Sequence, residues 1–230
     1  MGKGEFGSYH RDPEGYEQLI TCIYAQRPPL ELPSEYARAF ASDLVMLTVR
    51  LARYKFIARV LRKTDRVLEV GCGYGLGCAF LSQHVKEVRG IDVQECAIGE
   101  ARRLVTASNV EFETCDFFDF HSEKKFDVVV ASDVIEHLTI EQCEEFVQRT
   151  AVLVVPAGVV VIGTPSVWSL PYQSEVSRLS HVHCWDREEL LAVLDRSFGR
   201  VFPFSMNDEI VGTGHPKMAW FYFFLCTVPR

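Results

Sequence analysis

Between Arg66 and Gly77 the chain reads Arg-Val-Leu-Glu-Val-Gly-Cys-Gly-Tyr-Gly-Leu-Gly. A short apolar, β-branched run passes directly into glycines at 71, 73, 75 and 77, and a helical pattern follows. Glycines at such a turn let the backbone reverse sharply and approach a ligand closely beside a helix N-terminus. The dinucleotide fingerprint G-x-G-x-x-G requires glycine at 76, where this chain has Leu76. Glu69 stands two residues before the first glycine. A carboxylate there repels a pyrophosphate and can receive an ammonium group, which favours a cationic, amino-acid-bearing ligand over a nicotinamide dinucleotide.

The rest of the chain alternates in step with that unit. Further strands are expected at 88–91, 110–113, 126–131 and 159–162, with helical segments of crossover length between them. Capping-box patterns open helices at Thr139 (with Gln142) and Asp186 (with Glu189). Such alternation predicts a parallel sheet covered by helices on both faces. At the end, 201–205 and 218–227 read as two strands joined by a polar loop, which must pair antiparallel as a hairpin on the sheet edge. In front, residues 1–33 are punctuated by Pro13, Pro28, Pro29 and Pro33. Ser34 can cap one long helix to about Leu61, with Phe40, Leu44, Leu47, Leu51, Phe56 and Val60 as its apolar stripe.

The expected fold is therefore α/β, a doubly wound Rossmann-like sheet of seven mostly parallel strands with a C-terminal antiparallel hairpin. A helical cap over 1–60 precedes the main domain at 61–230.

Composition bounds the function. The 230 residues carry 31 acidic and 24 basic side chains, a net charge of −7, with 48% hydrophobic residues. That profile fits an ordinary globular chain and argues against a nucleic-acid partner, which needs clustered cations. The eight cysteines contain no C-x-x-C pair and read as reduced, mostly buried thiols of a cytoplasmic protein. The start, MGKGEFGSYH, has no leader-like apolar stretch, and Phe6 spoils an acylation pattern. The longest apolar run, 151–163, is broken by Pro156, so no membrane association is expected.

Acidic residues recur where the strands end. Asp92 lies twenty-one residues past Gly71, where an acid can accept both hydroxyls of a ribose. After the third strand, Asp116 could accept an adenine amino group and Phe117 pack on the ring. Taken in order, "LEVGCGxG", "GID", "CDFFDF", "FDVVVASDVIEHL" and "GVVVIGTPS" resemble the class I S-adenosylmethionine-dependent methyltransferases, with matches from about Arg53 to the C-terminus. The resemblance implies that S-adenosyl-L-methionine is the cofactor and S-adenosyl-L-homocysteine the product. It implies Gly71, Gly73 and Gly75 at the methionine moiety, Asp92 with Val93 at the ribose, Asp116 with Phe117 at the adenine, and Ser132 beside the cofactor. The stretch Arg53-Tyr-Lys-Phe56 resembles a subgroup whose arginine reaches the cofactor carboxylate, which points to Arg53.

Methyl transfer from a sulfonium needs alignment and exclusion of water, and a hydroxyl acceptor also needs a base. Candidates are Asp133, Glu136 and His137 after the fourth strand, His137 reading more readily as a pocket-shaping residue, and His181 and His183 before the last helix. His181 leads, because similar enzymes place a histidine five residues before that helix cap. The two histidines at i, i+2 on extended backbone are expected to point the same way. Spacing places no third ligand, so no metal site is expected. Tyr172 in the loop after the fifth strand, and Asn207, Asp208 and His215 in the terminal hairpin, are expected at the acceptor; a loop core and a solvated hairpin have the same composition.

The reading is a methyltransferase acting on a hydroxyl, less readily an amine, since no Asn-Pro-Pro-Tyr follows the fourth strand. The tail resembles bacterial enzymes of surface-polysaccharide and secondary-metabolite pathways, implying sugar, phosphate, phosphoramidate or natural-product acceptors. A cofactor-binding but non-catalytic partner protein and an NAD(P)-dependent oxidoreductase are the alternatives. A monomer and a homodimer fit equally.

Overall fold

A computed structural model describes residues 13–25 and 31–230. The expectations for the start of the chain and for Pro28 and Pro29 lie outside those residues. The chain divides into two units, one ending at Leu32 and the other running from Pro33 to Arg230. The first contains α1 (Pro13–Tyr24), which has proline at its first position, where a missing N–H costs nothing.

The second unit opens with a correction. In place of one helix from Ser34 there are two, α2 (Ser34–Ser42) and α3 (Leu44–Ala58). Asp43 breaks the run at φ −152°, and its side chain accepts a hydrogen bond from the Met46 N–H, capping α3. A short carboxylate competes with the helical backbone in this way, so the apolar stripe does not continue through it. Phe40 and Leu44 are 58% and 55% exposed, while Tyr36, Val49, Ala52 and Ile57 are buried. Ser34 is no cap either: its N–H and hydroxyl both donate to Glu100, at 2.8 and 2.7 Å.

The strands follow as β1 (Arg66–Val70), β2 (Glu87–Asp92), β3 (Val110–Thr114), β4 (Phe126–Ser132) and β5 (Val154–Pro165), all parallel. Then come β6 (Phe198–Asn207), β7 (Ile210–Gly212) and β8 (Phe221–Pro229), in antiparallel pairings. The sheet order is β3-β2-β1-β4-β5-β8-β6-β7. It has eight strands where seven were expected, because three residues beyond the Asp208 turn fold back on β6. The terminal pairing is antiparallel as expected, but it is not confined to an edge: β8 lies between β5 and β6, which makes β6 parallel to β5. Pro156, a residue with no N–H for a central strand, sits where the β4–β5 register slips, between the Val154 and Val159 pairings.

Helices α4 (Leu76–Ser82), α5 (Glu95–Leu104), α6 (Ile140–Leu153), α7 (Glu175–Ser180) and α8 (Arg187–Ser197) complete the domain. Period-2 alternation sends successive strand residues into two separate cores. Val67, Val128, Val130, Val161 and Phe223 pack with α3, α4 and α5 residues such as Ile57, Leu81 and Ile98. Leu68, Val129, Ile162, Tyr222 and Phe224 pack with Phe146, Leu190 and Leu194 of α6 and α8. The strand order reverses between β1 and β4, and ligands of open α/β sheets bind in the crevice at the carboxyl ends of such strands.

Candidate functional site

At that crevice the chain leaves β1 through three glycines with positive φ: 69° at Gly71, 50° at Gly73 and 81° at Gly75. A side chain at Gly71 would lie 2.6 Å from Val134, so both conformation and space demand glycine there. Asp92, at the end of β2, holds this loop. Its carboxylate accepts from the Gly73 N–H and the Gln94 N–H, each at 2.8 Å. Val93 beside it is 63% exposed. Asp116 is exposed in an Asx turn that accepts from the Phe118 N–H at 2.9 Å. Phe117 is buried, with its ring 4.3 Å from that of Phe146, and serves the core more than an open face.

Glu69 is placed differently from the expectation. It does not line the crevice but is buried beneath the glycine loop, 2% exposed, on the β1 face covered by α3 and α4. A side chain at Gly77 would collide with its carboxylate and with Tyr54. Burial raises its pKa to about 7 against the opposing effect of hydrogen bonds from Cys78 and Tyr54, with Asp92 raising it further.

A cavity of about 590 Å³ occupies the crevice, lined by Gly71, Gly73 and Ser132 on one side and by His137, His181, Gln173 and Tyr172 on the other. Arg53, Asp133 and Asp208 also line it, as do Glu35, Tyr36 and Arg50. These last three come from α2 and the first half of α3, which the sequence reading treated as a plain cover. Their signal was the charge pattern: Glu35 and Arg50 form an ion pair at 2.5 Å, with Arg50 6.0 Å from the ring centre of buried Tyr36.

Asp133 follows β4 at φ 58°, in the left-handed region that aspartate tolerates better than most residues. Its backbone N–H is fixed by Gly163 O at 3.0 Å, and Ser132 Oγ donates to its carboxylate at 3.1 Å. Two residues on, a 3-10 turn over Ile135–His137 swings Glu136 inward and His137 toward the cavity. Glu136 is fully buried; one carboxylate oxygen accepts from Thr164 Oγ1 at 3.1 Å and the other, Oε1, has no partner. Burial, and then Asp133, raise its pKa to about 8.

His181 ends α7 with its Nδ1 3.1 Å from Gln173 Oε1, and the Gln173 amide is oriented by donation from Nε2 to Ser169 Oγ. His137 Nδ1 lies 2.9 Å from Ser180 O. Both partners only accept, so each ring donates from Nδ1. The rings meet edge to face at 5.2 Å, and one donor atom each of Glu136, His137 and His181 lies within 4.8 Å of the others. Desolvation and the neighbouring His137 lower the His181 pKa, so it is poised to be neutral and to accept a proton.

The expected pairing of His181 with His183 fails. Although two residues apart, they do not share a direction: the His183 N–H and the Val182 N–H both bond Glu136 O, and this turns His183 outward. His183 Nε2 lies 3.0 Å from Glu189 Oε1, and its ring packs 4.4 Å from Trp185. That contact also diverts Glu189 from a capping box, leaving Asp186 to cap α8 alone through the Glu188 N–H. In the hairpin, Asp208 reaches the cavity at φ 48°, but Asn207 and His215 do not line it. His215 instead accepts from the Lys217 N–H and caps a short turn over Pro216–Met218. Tyr172 is 84% exposed at the rim.

All eight cysteines are free, and Cys72, Cys78, Cys143 and Cys226 are buried. Among the described residues no helix is long and apolar enough to cross a membrane.

Residues 67–158 match the family described as methyltransferase domain. A ubiquinone biosynthesis O-methyltransferase of Bradyrhizobium diazoefficiens is 31% identical over 101 residues, 43% of this chain and 39% of that protein. One from Rhodopseudomonas palustris is 32% identical over the same extent. The chain thus aligns with about two fifths of the length of these curated relatives. By structure it resembles the N-methyltransferase NodS of Bradyrhizobium japonicum, solved with S-adenosyl-L-homocysteine, at a TM-score of 0.61 and 20% identity over 79% of this chain and 88% of that one. A TehB-like S-adenosylmethionine-dependent methyltransferase of Corynebacterium glutamicum gives a TM-score of 0.63 and 19% identity over 92% of this chain and 99% of that one.

Proposed function

We propose that this chain, which carries a class I methyltransferase domain, uses S-adenosylmethionine to methylate a hydroxyl of a small molecule. One observation carries the reading: the glycine loop and two histidines, each held through Nδ1 by an acceptor, line the same cavity. A methyl donor lying along Gly71 and Gly73 would thus share one enclosure with groups able to take a proton. Asp92 would receive the ribose at the end of β2, and Asp116 the adenine amine.

Catalysis would rest on alignment and on dehydration of the cavity, because the sulfonium already carries its leaving group. The acceptor oxygen attacks the methyl carbon, the carbon–sulfur bond breaks with its electrons going to sulfur, and the hydroxyl proton leaves. His181 would take that proton, directly or through water. The hydroxyl is favoured over an amine by the pairing of proton acceptors with an O-methyltransferase among the sequence relatives.

Calorimetric titration of the purified protein with S-adenosylhomocysteine and, separately, NADH tests the cofactor. Binding of the first alone is expected, and heat from NADH alone overturns the reading. Asp92→Ala should weaken S-adenosylhomocysteine binding by about 1–3 kcal/mol, the scale of a lost charge-assisted bond. A panel of hydroxylated and aminated acceptors with methyl-labelled cofactor tests the reaction. Labelling only of amines would exclude the hydroxyl assignment, and no labelling at all would favour a binding protein without turnover.

A further inference from the structure

We propose that Gln173 is a positioning residue that fixes the ring proton of His181 on Nδ1 and so reserves Nε2 for the acceptor's proton. The inference rests on the proposed methyl transfer and adds to it the residues that prepare its base. A directed chain of hydrogen bonds leads from the sheet to the ring. Ser166, just past β5, is buried and pinned in place: its N–H donates to Trp220 O at 2.9 Å and its hydroxyl to Ala219 O at 2.6 Å. Its carbonyl accepts from Ser169 Oγ at 2.7 Å, within a 3-10 turn over Val167–Tyr172. A serine hydroxyl has one proton, and here it is engaged by Ser166, so toward Gln173 the oxygen can only accept. Gln173 meets it with Nε2 at 2.8 Å, which turns Oε1 toward His181 Nδ1, 3.1 Å away. An amide oxygen only accepts, so the ring must donate from Nδ1. Every donor in the chain points away from the ring, and that single direction sets the tautomer from the Ser166 backbone outward.

An unconstrained neutral imidazole favours its proton on Nε2, the wrong tautomer for a base that works through that nitrogen. The amide corrects this without adding charge. A carboxylate in its place would raise the ring's pKa. With glutamine there, His181 keeps the lowered pKa given by desolvation and by His137, which Asp133 opposes. Glu136 also faces the ring, with one donor atom within 4.8 Å, but burial raises its own pKa to about 8. His183 has the contrasting arrangement, Nε2 against the Glu189 carboxylate. In the transfer, the acceptor oxygen attacks the methyl carbon and its proton passes to His181 Nε2. The electron pair of the broken carbon–sulfur bond stays on sulfur. The imidazolium keeps its Nδ1–H on Gln173 and, bonded to an amide and not to a carboxylate, returns the extra proton to solvent.

Nitrogen-15 NMR of the imidazole rings reads the tautomer directly. The full-length protein, labelled at its histidines, would be studied with excess S-adenosylhomocysteine at about pH 8, above the ordinary imidazole pKa of about 6.5. Loss of signals in His181→Asn assigns the ring. In the parent, His181 should be neutral with Nδ1 protonated and Nε2 bare. Gln173→Leu should move most of the His181 population to Nε2–H. Gln173→Glu should keep Nδ1–H and raise the ring's titration midpoint by roughly 1–3 pH units. Ser169→Ala, which releases the amide to turn, should give a mixture of tautomers, and the His183 signals should stay unchanged in all three. Circular dichroism and S-adenosylhomocysteine affinity, measured on every variant, show whether each is folded. A parent His181 protonated on Nε2, or on both nitrogens, would overturn the assignment. So would an unchanged midpoint in Gln173→Glu, or an Nδ1–H population unmoved by Gln173→Leu or, should that variant not fold, by Ser169→Ala. Failure of the parent to bind S-adenosylhomocysteine would instead strike the methyltransferase reading and leave the tautomer result standing.

Discussion

Arg53 reaches from α3 across the mouth of the sheet to Asp133, donating from one guanidinium nitrogen to both carboxylate oxygens at 2.8 and 2.6 Å. The guanidinium also lies 3.9 Å from the ring centre of Phe221, and its Nε is buried without a partner. The arginine side chain is only 13% exposed, so the contact is shielded more than a surface pair. Asp133 thus occupies Arg53, one of two arginines that line the cavity and the one we propose as partner of the methyl donor's carboxylate.

That competition predicts opposite effects from its two halves. Arg53→Met should weaken S-adenosylhomocysteine binding about tenfold, the scale of one lost charged hydrogen bond. Asp133→Asn, which frees the guanidinium, should tighten it severalfold. Calorimetry on both variants checks this, and equal affinities in all three proteins would remove Arg53 from the cofactor site.

Buried Glu69 makes stability depend on pH. Its pKa in the folded chain is about 7, above the ordinary carboxylate value, so the folded state binds the proton more tightly than the unfolded state. The stabilisation is complete below the unfolded pKa and is lost as pH rises through about 7. The groups facing it are Tyr54 from α3, Cys78 from α4 and Asp92 from β2. Melting temperature should therefore fall from about pH 5 to 8, and Glu69→Gln should flatten part of that slope. A parallel slope in the variant would assign the pH effect elsewhere.

Two helical glycines should respond to alanine with opposite signs. In α5, nothing lies within 4 Å of a side chain built at Gly99, so Gly99→Ala should stabilise by up to about 1 kcal/mol through helix propensity. In α4, a side chain at Gly77 would collide with Glu69 Oε1 and the Tyr54 ring. Gly77→Ala should then destabilise by ~1–3 kcal/mol, as overpacking does. Urea unfolding of the pair gives the signs directly, and stabilisation of both would mean that Glu69 moves freely.

The cap of α3 sets the cavity's outer wall. Asp43→Ala removes the bond to the Met46 N–H and should cost about 1 kcal/mol of stability. Because Tyr36 and Arg50 flank that joint, the same variant should raise exchange of the Val49 amide, readable by hydrogen–deuterium exchange.

The inner parts of the fold were legible because they obey local rules. The bounds 66–70 of β1 follow from an apolar run meeting glycines, and Thr139 with Gln142 does close a capping box. Gly71, Gly73, Ser132, Asp133 and His137 share one cavity as their positions at strand ends suggested, and His181 joins them from the end of α7. What stayed hidden depends on side-chain direction and tertiary burial. His183 was paired with His181 by spacing, yet the backbone bonds of Val182 and His183 to Glu136 O turn it toward Glu189. Glu136 stands among the candidate acids after the fourth strand, but nothing in its spacing shows that the 3-10 turn buries it against Thr164. Asp43, one residue inside a helical pattern, reads as a tolerated polar position until its side chain takes the Met46 N–H.

The place of β8 governs the order in which the domain can be completed. Residues 221–229 pair with β5 on one side and β6 on the other, and Tyr222, Phe223 and Phe224 are fully buried between the two cores. A nascent chain that has reached Gly212 holds every helix of the domain but presents two open strand edges to its surroundings. Only when the final nine-residue strand threads between them do those edges disappear. The adhesive intermediate therefore persists until β8 is made, and chaperone engagement should concentrate on chains ending between β7 and β8.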